Sequence, residues 1–557
     1  MVPEFFKRSM LTRQLWSFRR EFMWIGIFSM IANLLMLTPT IYMLQLYARV
    51  LKSHNELTLL AITIFMIVFF LIMAFAEWLR SRLLVRTGVR LDEGLNSMVF
   101  DASFQAFLRQ SGKNAVQTFG DLAAIRQFLT TNGVIAFFDI PWTPFYIAVM
   151  FLLHPLLGVL SIVFAAIQLG FTWFSNVSMQ QEIVLAANAG GSSFGFLQGK
   201  LRNIEPVHAM GMTSNLRRRW SSMYDDFLAR NGGTSDREHR LQSINKFYRY
   251  AMSSLSLAAG AILVIRGELQ VGSMVAANVL MSKALQPLDL IILTWKPFVK
   301  ARESFHRLEG LLEEFPERPK GVRRLQDPMG EITLQQLNVT VPGREEPLLK
   351  DVDVMIPAGK VTVIQGPTGS GKSTLARCIV GVWPGASGKV LIDGEPVESW
   401  DREQLGRNIG YLPQDIELLE GTFAENIARF TEIDSTKVIE AARRAGIHDL
   451  IVRFPEGYDT PIGVAGGFLS AGFRQRLGLA RAMYGNPAIY VLDEPNANLD
   501  EIGEAALVEA VRTLKAEGRT VIMISHRGGI QATADLVMLM DAGRVVRLGT
   551  RQEVLGS

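Results

Sequence analysis

Over its first 300 or so residues the chain alternates long uncharged runs with polar segments, and beyond them it changes to short apolar runs separated by glycine-rich turns. The first uncharged run, Phe22 to Ala48, follows a polar stretch carrying Lys7, Arg8, Arg13, Arg19 and Arg20. It is too long for the core of a cleavable signal, and Asn33, Thr38, Pro39 and Gln45 make no processing site, so it predicts a membrane helix entered from the cytoplasm. A second run, Leu57 to Glu77, follows after a few residues and predicts a helical hairpin. Arg80, Arg82, Arg86 and Arg90 place its end in the cytoplasm by the positive-inside rule.

The segment from there to Gln127 is mixed and helical in pattern, with Asp101, Arg109, Lys113, Asp121 and Arg126 among apolar positions, and predicts helices that continue out of the bilayer. Phe128 to Gln181 is broken by Asp139-Ile140-Pro141-Trp142-Thr143-Pro144 and by His154-Pro155, which predicts two helices turning near His154. Asp139 lies near a cytoplasmic end or faces a cavity; an acid there marks a functional site, or it caps or pairs at the interface. Residues 182–245 form a second polar excursion, with Arg202, Glu205, Arg217, Arg218, Arg219, Asp225, Asp226 and Arg237. Tyr250 to Ile265 is a short fifth span. The sixth, about Val271 to Thr294, contains Lys283 and Asp289 and rests on parity, because a cytoplasmic N-terminus and a cytoplasmic nucleotide site require an even number of spans.

The parity argument needs that site, and Gly366-Pro367-Thr368-Gly369-Ser370-Gly371-Lys372-Ser373-Thr374 supplies it. An apolar run, Val361 to Ile364, precedes it and a helical segment follows. In that context glycines turn backbone N–H groups toward phosphates, the helix N-terminus adds its dipole, Lys372 reaches the β and γ oxygens and Ser373 ligates Mg²⁺. Gln414 follows an expected strand and is placed to sense Mg²⁺ or the attacking water. Ala488 to Leu492 is an apolar strand ending in Asp493, suited to the Mg²⁺ shell, and Glu494, suited to polarise water. Val521 to Ser525 is another strand, ending in His526, which at the end of this series reads as a γ-phosphate contact. The expected division is a cytoplasmic segment 1–21, a membrane domain 22–300, a Pro-containing linker 301–330 and a soluble domain 331–557.

Composition agrees with a chain divided between membrane and water. Only 20% of its 557 residues are charged, and mean hydropathy is positive. The net charge of +4 is mild, and the basic clusters flank hydrophobic runs, which points to lipid headgroups and topology and not to nucleic acid. The single cysteine, Cys378, rules out an intrachain disulfide and any cysteine-based metal cluster; it reads as a small buried hydrophobe.

Residues 331–557 resemble the nucleotide-binding domain of an ABC transporter, and the first 300 resemble the six-helix exporter membrane domain. The resemblance implies a membrane α-helical bundle of six transmembrane helices, type I ABC exporter-like, fused to a cytoplasmic α/β P-loop ATPase domain in the inner membrane. Gly366 to Thr374 match the Walker A motif, Gln414 the Q-loop, Leu469-Ser470-Ala471-Gly472-Phe473 the family signature, Asp493 and Glu494 the Walker B acids, Asn498-Leu499-Asp500 the D-loop, and His526 the switch histidine. In the family the signature of one subunit closes over the ATP of the other, which implies a homodimer with two Mg-ATP sites and places Ser470, Ala471, Gly472 and Asp500 at the nucleotide.

Three departures stand out. Ala471 and Phe473 replace the usual glycine and glutamine of the signature, while Ser470 and Gly472 keep a phosphate contact feasible. Val341-Pro342-Gly343 occupies the place of the adenine-stacking aromatic, and the acid that exporters often carry before the signature is missing from Ile462-Gly463-Val464-Ala465-Gly466-Gly467. The membrane half is most similar to the ATPases of type I secretion, protease-exporting branch, through Phe137 to Pro144, Leu153-His154-Pro155 and Asn203 to Met212. That similarity implies an unfolded polypeptide substrate, a periplasmic membrane-fusion adaptor and an outer-membrane channel. Residues 1–21 leave no room for a peptidase-like domain. Two features stay open: a helix around Glu205 to Arg219 docks on the partner ATPase or is simply solvated, and Arg86, Arg90 and Arg217 to Arg219 meet an acidic substrate or lipid. An exporter of lipids or small hydrophobic drugs is the alternative.

Overall fold

The computed structural model describes residues 9–109, 115–201, 204–316, 321–340, 346–383, 386–463 and 468–555. The chain forms two compact units, Met1–Glu317 and Arg318–Ser557. Among the described residues of the first, six helices are long and apolar enough to cross a membrane: Arg19–Ser53, Glu56–Leu108, Gly133–Leu153, Pro155–Leu197, Thr213–Ile265 and Val271–Glu314. Pro39, which lacks an N–H, interrupts the first helix after Leu35 and opens the segment Thr38–Gln45. His54 adopts a left-handed conformation at φ 48° and Asn55 caps the next helix through Thr58 N–H, which closes the hairpin. The second helix runs for 53 residues, about 80 Å at 1.5 Å per residue, far beyond the ~30 Å hydrocarbon core. The turn expected near His154 lies at that residue, whose extended backbone separates helices Thr143–Leu153 and Pro155–Leu201.

The sixth helix explains why its own sequence was a weak signal. Ala277, Leu280, Met281, Ala284, Leu285 and Leu288 are buried against Tyr146, Met150, Leu157, Met252 and Leu263, and half of its apolar window is inside the protein. The second helix, the most apolar of the six, buries only 6% of its window within the chain and leaves the rest facing outward. Small residues on the sixth let neighbouring helices approach closely, and its polar positions are answered by protein: Asp289 accepts from Gln168 at 2.8 Å and from Asn245 at 3.0 Å.

Residues 301–330, read as linker, divide between the two units. Residues up to Glu314 continue the sixth helix, with Leu308, Leu311 and Leu312 in a core with Leu91, Leu95 and Val99. Residues 321–330 belong to the second unit: Val322 N–H donates to Ser399 at 2.9 Å, and the Asp393 carboxylate accepts from the N–H groups of Met329, Gly330 and Glu331.

The second unit carries two sheets. Strands β1 (Ile332–Val339), β2 (Leu349–Ile356), β4 (Ala386–Ile392) and β5 (Glu395–Pro396) form an antiparallel sheet in the order β2-β1-β4-β5. Strands β3 (Val361–Gln365), β6 (Ile409–Leu412), β7 (Ile489–Asp493), β8 (Thr520–Ile524), β9 (Leu536–Asp541) and β10 (Arg544–Thr550) form the other, in the order β10-β9-β3-β8-β7-β6. The strands from β9 to β6 are parallel. Every residue of β3, β7 and β8 is buried, as a parallel strand covered on both faces requires. Alternation along β7 sorts its side chains: Tyr490 and Leu492 enter one core with Leu477 and Val511, Ile489 and Val491 the other with Leu375 and Ile379.

Candidate active site

The parallel register brings the chemistry together. Ile524 on β8 pairs with Ile364 on β3 and with Asp493 on β7, and Leu492 pairs with Leu412 on β6. The residues just beyond these pairs, Gly366 onward, Asp493-Glu494, Ser525-His526 and Gln414, therefore emerge side by side at the carboxyl ends of the strands, where open α/β sheets bind ligands.

Gly366 leaves β3 at φ 148°, and a Cβ there would run into the Met540 carbonyl. Pro367, Thr368 and Gly369 form the exposed tip, Ser370 is buried, and Gly371 is the left-handed N-cap of helix Lys372–Ile379, whose first turn holds Lys372, Ser373 and Thr374. The Lys372 ammonium donates to the carbonyl oxygens of Gly366 at 2.8 Å and Pro367 at 2.7 Å, so it sits within the loop's own curve. Burial holds it below the usual lysine range against the pull of Glu494 and Asp493. Cys378, on the same helix, is buried as a small apolar side chain.

Asp493 is buried, and the one hydroxyl facing its carboxylate is that of Ser373. Burial pushes it above the usual carboxylate range, with the Ser373 hydroxyl and the Arg377 and Lys372 charges pulling the other way. Buried hard oxygen donors facing a serine on a phosphate-loop helix fit a partly hydrated Mg²⁺. Glu494 follows in a left-handed conformation, φ 48°, with its N–H donating to Ile524 O at 3.1 Å. Gln414, exposed beyond β6, donates to the Glu494 carboxylate at 3.4 Å. His526 is exposed at the end of β8, and the Ser525 hydroxyl beside it donates to Asn496 at 3.0 Å.

The signature residues cap a different element. Ser470 is the N-cap of helix Ala471–Met483 and accepts from Phe473 N–H at 3.2 Å; Ser470 and Ala471 are exposed. A Cβ on Gly472 would come within 2.8 Å of the Asn498 carbonyl, so the signature turn and the Asn498-Leu499-Asp500 segment touch. Asp500 caps helix Glu501–Ala516 through Gly503 N–H, which with Arg476 holds its carboxylate below the usual range; Arg476 also forms an ion pair with it. Phe473, the departure from the family pattern, packs at 5.3 Å from Phe423 and 5.5 Å from Phe454. It faces the domain's own core.

Two contacts were invisible in the sequence. Gln475 donates to the backbone carbonyls of Glu494 at 3.3 Å and Pro495 at 3.2 Å; set between Arg474 and Arg476, it carries no local signal of that contact. Arg429 donates to Arg481 O, Gly406 O, Ile409 O and Ala482 O, at 2.7 to 3.2 Å. Val341-Pro342-Gly343, Val464 to Gly467, Arg202 and Asn203 lie outside the described residues.

In the membrane unit the expected short helix exists at Ile204–Ala209, and Arg217 to Arg219 lie on helix Thr213–Ile265. Arg90 is engaged by Glu21 at 3.2 Å. Asp139 takes the pairing alternative: it accepts from Ser29 and Asn33, each at 2.7 Å, and from Arg80 at 3.1 Å. Arg80, read as a topology charge, is thus a buried partner.

Comparison with known proteins agrees with both halves. Residues 22–288 match the model of the ABC transporter transmembrane region and residues 349–497 that of the ABC transporter. The chain is 41% identical to the type I secretion system ATP-binding protein PrsD of Rhizobium meliloti (strain 1021), over 97% of this chain and 93% of that protein. It is 27% identical to the alpha-hemolysin translocation ATP-binding protein HlyB of Escherichia coli, over 97% of this chain and 77% of that protein. A solved bacterial Atm1-family ABC exporter with ATP bound shares the fold, with a TM-score of 0.82 at 22% identity, over 97% of this chain and 96% of that one. With its membrane region, its nucleotide-binding region and this near full-length likeness, the chain belongs to the ABC transporter family, among the multi-pass inner-membrane exporters of type I secretion.

Proposed function

We propose that this chain couples ATP hydrolysis to the export of an unfolded polypeptide across the inner membrane, working as a homodimer with a periplasmic adaptor and an outer-membrane channel. The observation that carries the energetic part is the shared register of Ile364, Ile524 and Asp493, which sets the phosphate loop, the acids and His526 in one row. The polypeptide part rests on the 41% identity to a type I secretion protein.

Bound Mg²⁺ would neutralise phosphate charge as it develops during transfer. The chain's own groups do the rest. Backbone N–H groups from Gly366 to Thr374 cradle the phosphates, and Lys372 turns from the loop carbonyls to phosphate oxygens. Ser373 and Asp493 hold the metal, with Gln414 beside it. Glu494 takes a proton from the attacking water, and His526 holds the γ-phosphate. Ser470 and the N-terminus of helix Ala471–Met483 serve the nucleotide of the other subunit, which needs an exposed cap, and Ala471 adds one methyl there.

The test is Mg-dependent ATP hydrolysis by the purified protein in lipid, beside Glu494→Gln, with and without the C-terminal segment of a candidate secreted protein. Turnover lost in the variant and altered by the segment is expected. Turnover that ignores the segment and follows lipids or small drugs overturns the polypeptide reading.

A further inference from the structure

Glu494 occupies a backbone conformation that side chains disfavour, at φ 48°, immediately after the last residue of β7. Such a residue keeps its orientation only while its neighbours over-determine it. Its N–H is tied to β8 through Ile524 O. On the other side Ala497 N–H reaches its carbonyl at 3.0 Å, and the remaining restraint comes from another element: the Gln475 amide, 3% exposed, meets the carbonyls of both Glu494 and Pro495. A primary amide carries two donor hydrogens, so one group serves two consecutive carbonyls. Gln475 sits in the second turn of helix Ala471–Met483, whose N-cap is the exposed Ser470.

We infer that Gln475 is a positioning residue for hydrolysis: its side-chain amide holds the Glu494–Pro495 backbone in the left-handed turn that aims the Glu494 carboxylate. This rests on the reading of Glu494 as the base. The donor function is what matters, because the two acceptors are backbone carbonyls. A methionine keeps the length and volume but cannot donate. A glutamate keeps the shape but turns a carboxylate toward two carbonyl oxygens.

The experiment compares the full-length parent protein in lipid with Gln475→Met, Gln475→Glu and Glu494→Gln, measuring kcat and KM for Mg-ATP, binding of a non-hydrolysable ATP analogue, and thermal unfolding. The expected result is a loss in kcat of about tenfold or more in both Gln475 variants, with KM, analogue affinity and unfolding temperature close to the parent. A kcat within about twofold of the parent overturns the inference. So does a fall in unfolding temperature and analogue binding that accounts for the lost turnover, since the amide would then be a packing group. If Glu494→Gln keeps parental turnover, the reading of Glu494 fails instead, whatever the Gln475 variants do.

Discussion

Asp139 and Asp493 are both acids removed from bulk water, and their surroundings are opposite. Asp139, at the end of helix Asn132–Asp139 in the membrane unit, receives donors from Ser29, Asn33 and Arg80, while Tyr146 steadies Asn33 from behind at 2.9 and 3.0 Å. Asp493, at the end of β7, faces one hydroxyl, that of Ser373, and neither of its oxygens sits in close hydrogen-bond geometry. A buried carboxylate is costly unless something answers it. Where the chain supplies the answer, the acid ties helices together; where the chain leaves it largely unanswered, the acid is free to meet a cation, the role proposed for Asp493. The same residue type thus separates into a structural and a functional role by the donors around it, a distinction that hydropathy cannot draw.

The strongest test removes that role. Asp493→Asn keeps the side chain's shape and abolishes its charge, and Mg-dependent ATP hydrolysis should fall roughly a thousandfold, ~4 kcal/mol in the barrier. Unfolding temperature should hold or rise, because the burial cost of the charge outweighs what Ser373, Arg377 and Lys372 return to it. Loss of stability in this variant would break the comparison. Asp139→Ala should do the reverse, leaving the Arg80 guanidinium buried without its partner and lowering stability by about 3 kcal/mol, read as thermal unfolding in detergent. The double variant Arg80→Met with Asp139→Leu should recover part of that loss, since a hydrophobic pair avoids the desolvation cost of the charges while Ser29 and Asn33 still lose their acceptor.

How legible each acid was follows from the same physics. The Walker-type motifs are local: glycines, a lysine and a strand-end acid keep fixed spacing, so Gly366 to Thr374, Asp493 and Glu494 could be named from sequence, and the register then aligned them. The lipid-facing second helix was equally plain. The sixth was not, because a helix that buries half its apolar window against protein can carry Asp289 and small residues where lipid would demand Leu or Phe. Arg80 and Asp139 lie 59 positions apart, and nothing in either neighbourhood announces the other. Gln475 and Arg429 were hidden for a related reason: their partners are backbone carbonyls, which have no sequence.

Arg429 extends the comparison to a cation. It is half-buried with four backbone carbonyls around its guanidinium, two of them from the last residues of helix Ala471–Met483, and desolvation holds it below the usual arginine range. By the rule drawn from Asp139, a fully answered charge is structural. Arg429→Ala should lower stability by about 2 kcal/mol, the order expected when buried acceptors lose a charged donor, and should leave KM for ATP unchanged. Chemical denaturation of the parent and variant gives the first quantity and steady-state kinetics the second.

The smallest expected effect is at Phe473, where the chain departs from its family within the signature itself. Sequence comparison alone assigns that departure to the nucleotide contact. The ring instead joins Phe423 and Phe454, themselves 5.2 Å apart and nearly edge to face, in a three-ring cluster on the core. Phe473→Gln, which restores the family residue, should therefore lower stability by about 1 kcal/mol, the size of lost aromatic contacts, and change ATP turnover by less than about threefold. The contrast with Asp493 is then complete, because a residue inside a nucleotide motif would behave as core while a residue inside the core behaves as a ligand. A large gain in turnover with no change in unfolding temperature would mean that the glutamine reaches the other subunit's nucleotide, and that packing contacts in one chain do not report the role of Phe473.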